Sequence, residues 1–132
     1  MLKPEVYRYA AEYGNETREF IDDEKQCWID YNGIGLINIE IKTGCMIEMH
    51  PYILREYKDK YKDMILELFK RIKERMPEEV QKINAVIPEA YKNTCAIAEE
   101  AGMTKEGVDR SSYRHENGIC DRILYGITRS EL

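Results

Sequence analysis

The sequence predicts one α+β domain over residues 1–132, built on a mixed, mostly antiparallel, twisted sheet with helices on both faces. Three observations lead to this prediction. Apolar and polar residues alternate over several short segments, which Asn-Gly and Thr-Gly turns separate. One long segment carries apolar residues at helical spacing. A strand, a second helix and a hairpin follow it, so the predicted order is ααβββαβαββ.

Composition and charge exclude several classes of protein. The chain has 132 residues, of which 43% are hydrophobic and 34% charged, as in a globular domain of ordinary size. The formal net charge of -5 provides no overall attraction to nucleic acid. No apolar run approaches the roughly 20 residues that span a bilayer, and the first residues lack the apolar stretch of a signal peptide. We therefore expect a cytoplasmic protein that binds neither nucleic acid nor a membrane.

The cysteines do not form a metal-binding pattern. Cys27, Cys45, Cys95 and Cys120 lie far apart, no C-x-x-C pair is present, and the chain has only 2 histidines. A zinc site requires clustered thiolates or imidazoles. We expect reduced, partly buried thiols and no bound metal.

Two short helices are predicted before the sheet. Pro4 suits the first turn of a helix over residues 4–13. Asn15 is a typical cap for a second helix through about Ile21, and residues 22–25 form a turn.

Three strands follow, joined by tight turns. Asn32-Gly33 is a strong hairpin signal between the first and second strands. In the third strand, Glu48 and His50 share one face because side chains alternate along a strand. The predicted strands are Gln26–Tyr31, Ile34–Lys42 and Cys45 to about Tyr52.

The long helix is the clearest element. Its apolar stripe is typical of a helix that packs on a core, and Pro77 ends it. The stripe, within residues of about 56–76, consists of Tyr57, Tyr61, Met64, Ile65, Leu68, Ile72 and Met76. The remaining predicted elements are a strand (82–87), a helix (89–101) ended by Gly102, and a hairpin (107–114 and 119–128) turning at Asn117-Gly118.

The second half of the chain resembles the closing half of GNAT acetyltransferases. A strand ends near a proline, a helix runs to Gly102-Met103, and Glu106-Gly107 follows. The last hairpin carries a turn glycine, an aspartate, a tyrosine and a basic end, which here are Gly118, Asp121, Tyr125 and Arg129. The likeness covers residues 24–130 and is closest to GNATs that modify protein N-termini or polyamines, and to small phage-encoded GNAT-like proteins. It implies the acyl-CoA N-acyltransferase fold.

The resemblance implies an acetyl-CoA site. The third strand would part from its neighbour and hold the pantetheine arm along Met49, His50 and Tyr52. The loop before the long helix would hold the diphosphate, because backbone N–H groups at a helix N-terminus face an anion there. Asn93 lies near the position of a cofactor-binding asparagine of the family.

The diphosphate loop departs from the family pattern, which has small residues after an initial Gln or Arg. Here Arg55 fits, but Lys58 and Lys60 occupy the small positions. Glycine there allows the backbone to approach phosphate closely. Either the lysines turn outward and bind phosphate by charge, or the loop no longer binds coenzyme A.

Three residues are candidates for catalysis. Glu48 and His50 lie where several GNATs place a catalytic glutamate, and either group can take a proton from the acceptor amine. The family's thiolate-protonating tyrosine aligns with Ala98, so Tyr91 is the substitute candidate. Solvated or packing roles are the alternatives for all three.

Two functions follow from these observations. The first is an acetyl-CoA-dependent N-acetyltransferase that acts on an amine of a small molecule, peptide or protein. The alternative is a catalytically degenerate GNAT-like phage or prophage accessory or assembly protein, which the lysines of the loop favour. A homodimer through the last strands, common in the family, is left open.

Overall fold

The structure is a computed structural model that describes residues 26–132, so the helices and turn predicted over residues 4–25 lie outside it. The strand and helix order after residue 25 agrees with the prediction. The elements are β1 (Gln26–Tyr31), β2 (Gly35–Thr43), β3 (Met46–Ile53), a 3-10 segment (Arg55–Lys60), α1 (Tyr61–Arg75), β4 (Lys82–Pro88), α2 (Lys92–Glu100), β5 (Thr104–His115), β6 (Gly118–Thr128) and a C-terminal 3-10 helix (Arg129–Glu131).

Several predicted boundaries are wrong by a few residues. The α-helical part of the long helix begins only at Tyr61, because the five charged residues and the tyrosine before it form the 3-10 segment. The helix predicted from residue 89 begins at Lys92, since Tyr91 N–H bonds to the carbonyl of Pro88 in a turn. β5 begins at Thr104, and the C-terminal 3-10 helix was not predicted.

The six strands form one mixed sheet in the order β1-β2-β3-β4-β6-β5. β3 and β4 run parallel, and each of the other neighbouring pairs of described strands is antiparallel. Asn32 and Gly33 make the predicted turn between β1 and β2, with φ of 51° and 72°. Ile34 N–H bonds to the Tyr31 carbonyl across this turn, and Tyr31 pairs with Gly35, so three residues connect the two strands.

The main core lies between the sheet and the two described helices. In β2, β3, β4 and β6, alternate residues point to this face, so strands and helices contribute to a single cluster. Gly35 allows α1 to approach β2 closely, because a Cβ there would lie 2.6 Å from Met64 Sδ and 3.0 Å from the Tyr52 carbonyl oxygen. The largest fully buried side chains of the cluster are Ile37, Ile39, Ile47, Met64, Ile65, Leu68, Ile72 and Ile83.

The opposite face of β1–β3 carries an aromatic pair. Trp28 and Tyr52 project from the two strands that flank β2, and their rings stack with centroids 6.2 Å apart. Leu36 and Asn38 of β2 lie on the same face and are buried. Neither helix within residues 26–132 is long and apolar enough to cross a membrane.

Candidate functional site

β3 and β4 separate part-way along their length. The two strands pair at Met46↔Lys82, Ile47↔Ile83 and Glu48↔Asn84, and no further β3–β4 pair occurs in the described chain. We call the gap between residues 49–53 of β3 and residues 85–88 of β4 the splay, and its end at Glu48 the closed end. Proline provides no N–H for a strand ladder, and Pro51 and Pro88 both lie beyond the last paired position.

A cavity of about 590 Å³ occupies the splay. Its lining comes from both faces of the sheet, since it includes residues of both helices as well as the polar face of β3. A cleft of this size is ordinary for a small-molecule site. The strand residues that line it are Lys42, Glu48, Met49, His50, Pro51, Tyr52, Ala85, Val86, Ile87, Pro88, Tyr113 and Arg122, and those of the helices and their ends are Tyr61, Ile65, Tyr91, Thr94, Ile97 and Ala98.

Glu48 and His50 form a carboxylate–imidazole pair at the closed end of the splay. His50 Nε2 lies 3.1 Å from Glu48 Oε2 and 3.4 Å from Glu40 Oε2. The hydrogen bond to Glu48 raises the pKa of His50 above its ordinary value, and the same bond lowers the pKa of Glu48. A raised pKa makes the imidazole a stronger base, so the pair is suited to hold a proton taken from an amine.

A lysine lies beside this pair. Lys42 Nζ is 3.4 Å from Glu40 Oε2 and 3.6 Å from Glu48 Oε2. The negative charge of Glu48 is the largest influence that raises the pKa of Lys42. Two carboxylates, Glu40 and Glu48, therefore share the Lys42 ammonium and the His50 imidazole as partners at the closed end.

Tyr91 also lines the cavity and lies immediately before α2. Its Oη is 2.8 Å from Tyr113 Oη, and its ring meets the rings of Tyr113 and His115 edge to face. The hydrogen bond to Tyr113 is the largest cause that raises the pKa of Tyr91 to about 12. At neutral pH, Tyr91 is therefore a protonated phenol that can donate a hydrogen bond to a departing thiolate.

The residues predicted to hold the diphosphate do not line the cavity. Arg55, Lys58 and Lys60 are exposed on the 3-10 segment, which follows β3 at the open end of the splay. The carbonyl of Ile34 fixes the start of this segment by accepting a bond from the N–H of Leu54. Asn93 is exposed in the first turn of α2, while its neighbour Thr94 faces the cavity.

The sequence did not identify several lining residues. Arg122 of β6 lines the cavity and binds Asp109 of β5 at 2.6 Å. Tyr113 of β5 lines the cavity as well, whereas its strand neighbours Asp109 and Arg110 do not. No sequence signal places Arg122 there, since the contact depends on β6 lying between β4 and β5.

The fold was compared with known proteins. No family model matches the sequence, and no curated protein matches it. Among solved structures, a GNAT-family acetyltransferase from Bacillus anthracis superposes with a TM-score of 0.63 at 21% identity, over 74% of this chain and 60% of that chain. A spermidine N-acetyltransferase from Vibrio cholerae, in complex with CoA and spermine, gives a TM-score of 0.73 at 17% identity over 86% and 71% of the two chains. The chain has the GNAT fold.

The GNAT fold extends over most of the described chain. The ribosomal-protein-S18-alanine N-acetyltransferase from Escherichia coli covers 94% of this chain and 83% of its own, with a TM-score of 0.73 at 13% identity. At these identities the likeness shows the fold alone. This chain spans 60% of the length of the Bacillus anthracis protein. The predicted likeness to phage-encoded proteins stays a prediction.

Proposed function

We propose that this chain is an acetyl-CoA-dependent N-acetyltransferase that transfers an acetyl group to an amine. The observation that carries the proposal is the pairing of an open strand edge with a proton acceptor. The β3–β4 splay contains a cavity of about 590 Å³, and the Glu48–His50 pair lies at its closed end. The CoA complex of the spermidine N-acetyltransferase of the same fold supports the choice of coenzyme.

The splay suits an extended arm. Five residues of β3, from Met49 to Ile53, span about 16 Å at the rise of a strand, and they have no β4 partner. Their polar backbone groups can pair with an amide-containing chain as an added strand would. We place the pantetheine arm along Met49, His50 and Tyr52, with the acetyl end toward Glu48.

The opposite end of the arm would meet the basic 3-10 segment. Arg55, Lys58 and Lys60 are exposed there, in front of the 15-residue helix α1. Exposed lysines can bind a diphosphate by charge without the close backbone approach that glycine permits. Asn93 would contact the cofactor only from outside the cavity, on the exposed side of α2.

The chain's own groups account for proton movement. Glu48 and His50 accept a proton from the acceptor ammonium, which leaves a neutral amine able to attack the thioester carbonyl. Confinement of both substrates in one cavity provides proximity without a covalent enzyme intermediate. Tyr91 donates a hydrogen bond to the sulfur as the C–S bond breaks.

A second candidate is a GNAT-fold protein without catalysis, such as a phage or prophage accessory or assembly protein. The observation in its favour is that none of Arg55, Lys58 and Lys60 lines the cavity. In that case, the splay would be retained without coenzyme A, and acetyl-CoA would not bind.

A transfer assay separates the two candidates. Labelled acetyl-CoA is offered with spermidine and with a peptide bearing a free N-terminus, and products are read by mass spectrometry. We expect Glu48→Gln and His50→Ala each to lower kcat by about 100-fold or more while KM for acetyl-CoA changes little. Glu74→Gln, an exposed change on α1, is the matched control. Unchanged kcat in both variants would reject these residues as the proton acceptors.

A further inference from the structure

Lys42 holds an unusual position among the lysines. Of those within residues 26–132, it is the one that lines the splay cavity. Lys42 lies two residues after Glu40, so side-chain alternation along β2 puts it on the face that carries Glu40 and Glu48. The β2–β3 register shifts next to it, since Ile41 pairs with Ile47 and Thr43 with Met46, so Lys42 itself has no partner in the ladder.

The amine of Lys42 is already next to the proposed proton acceptor. Its Nζ contacts Glu48 at 3.6 Å and Glu40 at 3.4 Å, and Glu48 in turn contacts His50 at 3.1 Å. The side chain is 38% exposed, so it is reachable from the cavity and from solvent. An acceptor amine would need the same surroundings.

We propose that Lys42 is a self-acetylation site, modified in cis by acetyl-CoA bound in the splay. The inference rests on the proposed function. The Lys42 ammonium gives one proton to the Glu48–His50 pair, and its nitrogen lone pair attacks the thioester carbonyl carbon. A C–N bond forms and the C–S bond breaks, with its electron pair leaving on sulfur. The products are N-acetyl-Lys42, coenzyme A thiol and one proton released to solvent.

Tethering favours this reaction over modification of other lysines. Lys42 is held by two carboxylates at the closed end of the splay, where the acetyl group would lie. Holding a nucleophile near its target replaces a bimolecular step by a unimolecular one, which can accelerate it by many orders of magnitude. Acetylation would also remove the positive charge that offsets Glu40 and Glu48, so the net charge at this end of the cavity would become more negative.

Lys82 is a matched internal control. It is also ion-paired, to Glu106, and its side chain is 31% exposed, but it does not line the cavity. Uncatalysed acetylation requires the neutral amine, and the pKa of Lys42 is raised by Glu48. Uncatalysed acetylation should therefore be slow at Lys42, and faster acetylation of Lys42 than of Lys82 would have to come from the site.

The test incubates the full chain with isotopically labelled acetyl-CoA and maps modified lysines by mass spectrometry over time. We expect Lys42 to be acetylated at least about 10-fold faster than Lys82, at a rate per molecule that does not change with protein concentration. The preference should vanish in urea and in Glu48→Gln, and Lys42→Arg should lose the modification.

Calorimetry with acetyl-CoA separates the two ways in which this can fail. If acetyl-CoA binds but Lys42 is modified no faster than Lys82, self-acetylation is wrong while the proposed function stands. A rate that rises with protein concentration would show transfer between molecules and overturn the reaction in cis. If acetyl-CoA does not bind, both proposals fall together.

Discussion

Arg129 ties the C-terminus to the end of α1, and its loss should cost the chain a large part of its stability. Its guanidinium donates to four carbonyl oxygens: Nη1 to Pro77 at 2.7 Å and Val80 at 2.8 Å, and Nη2 to Lys73 at 3.2 Å and Met76 at 2.9 Å. These carbonyls lie at the C-terminus of a helix and in the following loop, where no intrahelical donor is available. A cation there also interacts favourably with the helix dipole.

The size of the effect follows from the surroundings of each bond. The bonds to Val80 and Met76 are part-buried, and the other two are exposed. In Arg129→Ala, water can bond to the carbonyls of the two exposed hydrogen bonds. Only the two part-buried bonds are therefore counted in the loss of stability. At about 1.5 kcal/mol for each bond from a charged donor, the free energy of unfolding falls by about 3 kcal/mol. For a domain of this size, that lowers Tm by roughly 10 °C.

Thermal and urea unfolding followed by circular dichroism measure this loss. Arg129→Lys should recover less than half of the stability, because an ammonium cannot reproduce the planar fork. Arg114→Ala, at an exposed arginine of β5, is the control and should shift Tm by only a degree or two. If the free energy of unfolding of Arg129→Ala is within about 0.5 kcal/mol of that of the unmodified chain, the bonds from Arg129 do not stabilise the fold.

Two further predictions concern titrating groups. Since the pKa of His50 is raised above 6.5 and that of Glu48 is lowered below 4.5, their pairing stabilises the fold fully between these values and is lost above the folded pKa of His50 and below that of Glu48. The free energy of unfolding of the unmodified chain should therefore exceed that of His50→Gln by the most, about 1 kcal/mol, between pH 4.5 and 6.5. A difference that does not change with pH would contradict the pairing. In Tyr113→Phe, the pKa of Tyr91 should fall from about 12 toward 10.0, as read by NMR of labelled tyrosine rings. Tyr125, whose pKa is raised to about 12 chiefly by burial, should not move and serves as the reference.

The sequence predicted the elements of the sheet because each carried its own local signal. Asn32-Gly33 specified a hairpin through its positive φ values, and Gly102, with φ of 102°, ended α2 as predicted. Buried residues of α1 match the predicted stripe, apart from Phe69, which the sequence analysis omitted. Ile41 continues the alternation of Ile37 and Ile39 along β2 but is 48% exposed, because it lies near the register shift at the strand end.

The site was less predictable, since it depends on contacts between distant strands. Alternation along β3 placed Glu48 and His50 on one face, but nothing local indicated Glu40 as a second carboxylate partner of the imidazole. That contact follows from the β2–β3 register, in which Glu40 pairs with Glu48. Alternation along β2 puts Lys42 on the same face as Glu40, but its contact with Glu48 again depends on the β2–β3 pairing. The roles assigned to these residues stay predictions.

Calorimetric titration measures whether the splay binds acetyl-CoA. Acetyl-CoA and free coenzyme A are titrated into the unmodified chain and into a Lys58→Glu/Lys60→Glu variant, whose fold is checked by circular dichroism. We expect saturable binding of both ligands to the unmodified chain, weakened at least about 10-fold in the variant because two attractive charges become repulsive. An absence of binding to the folded, unmodified chain at millimolar ligand would rule out an acetyl-CoA site in the splay and favour a GNAT fold that works without its coenzyme.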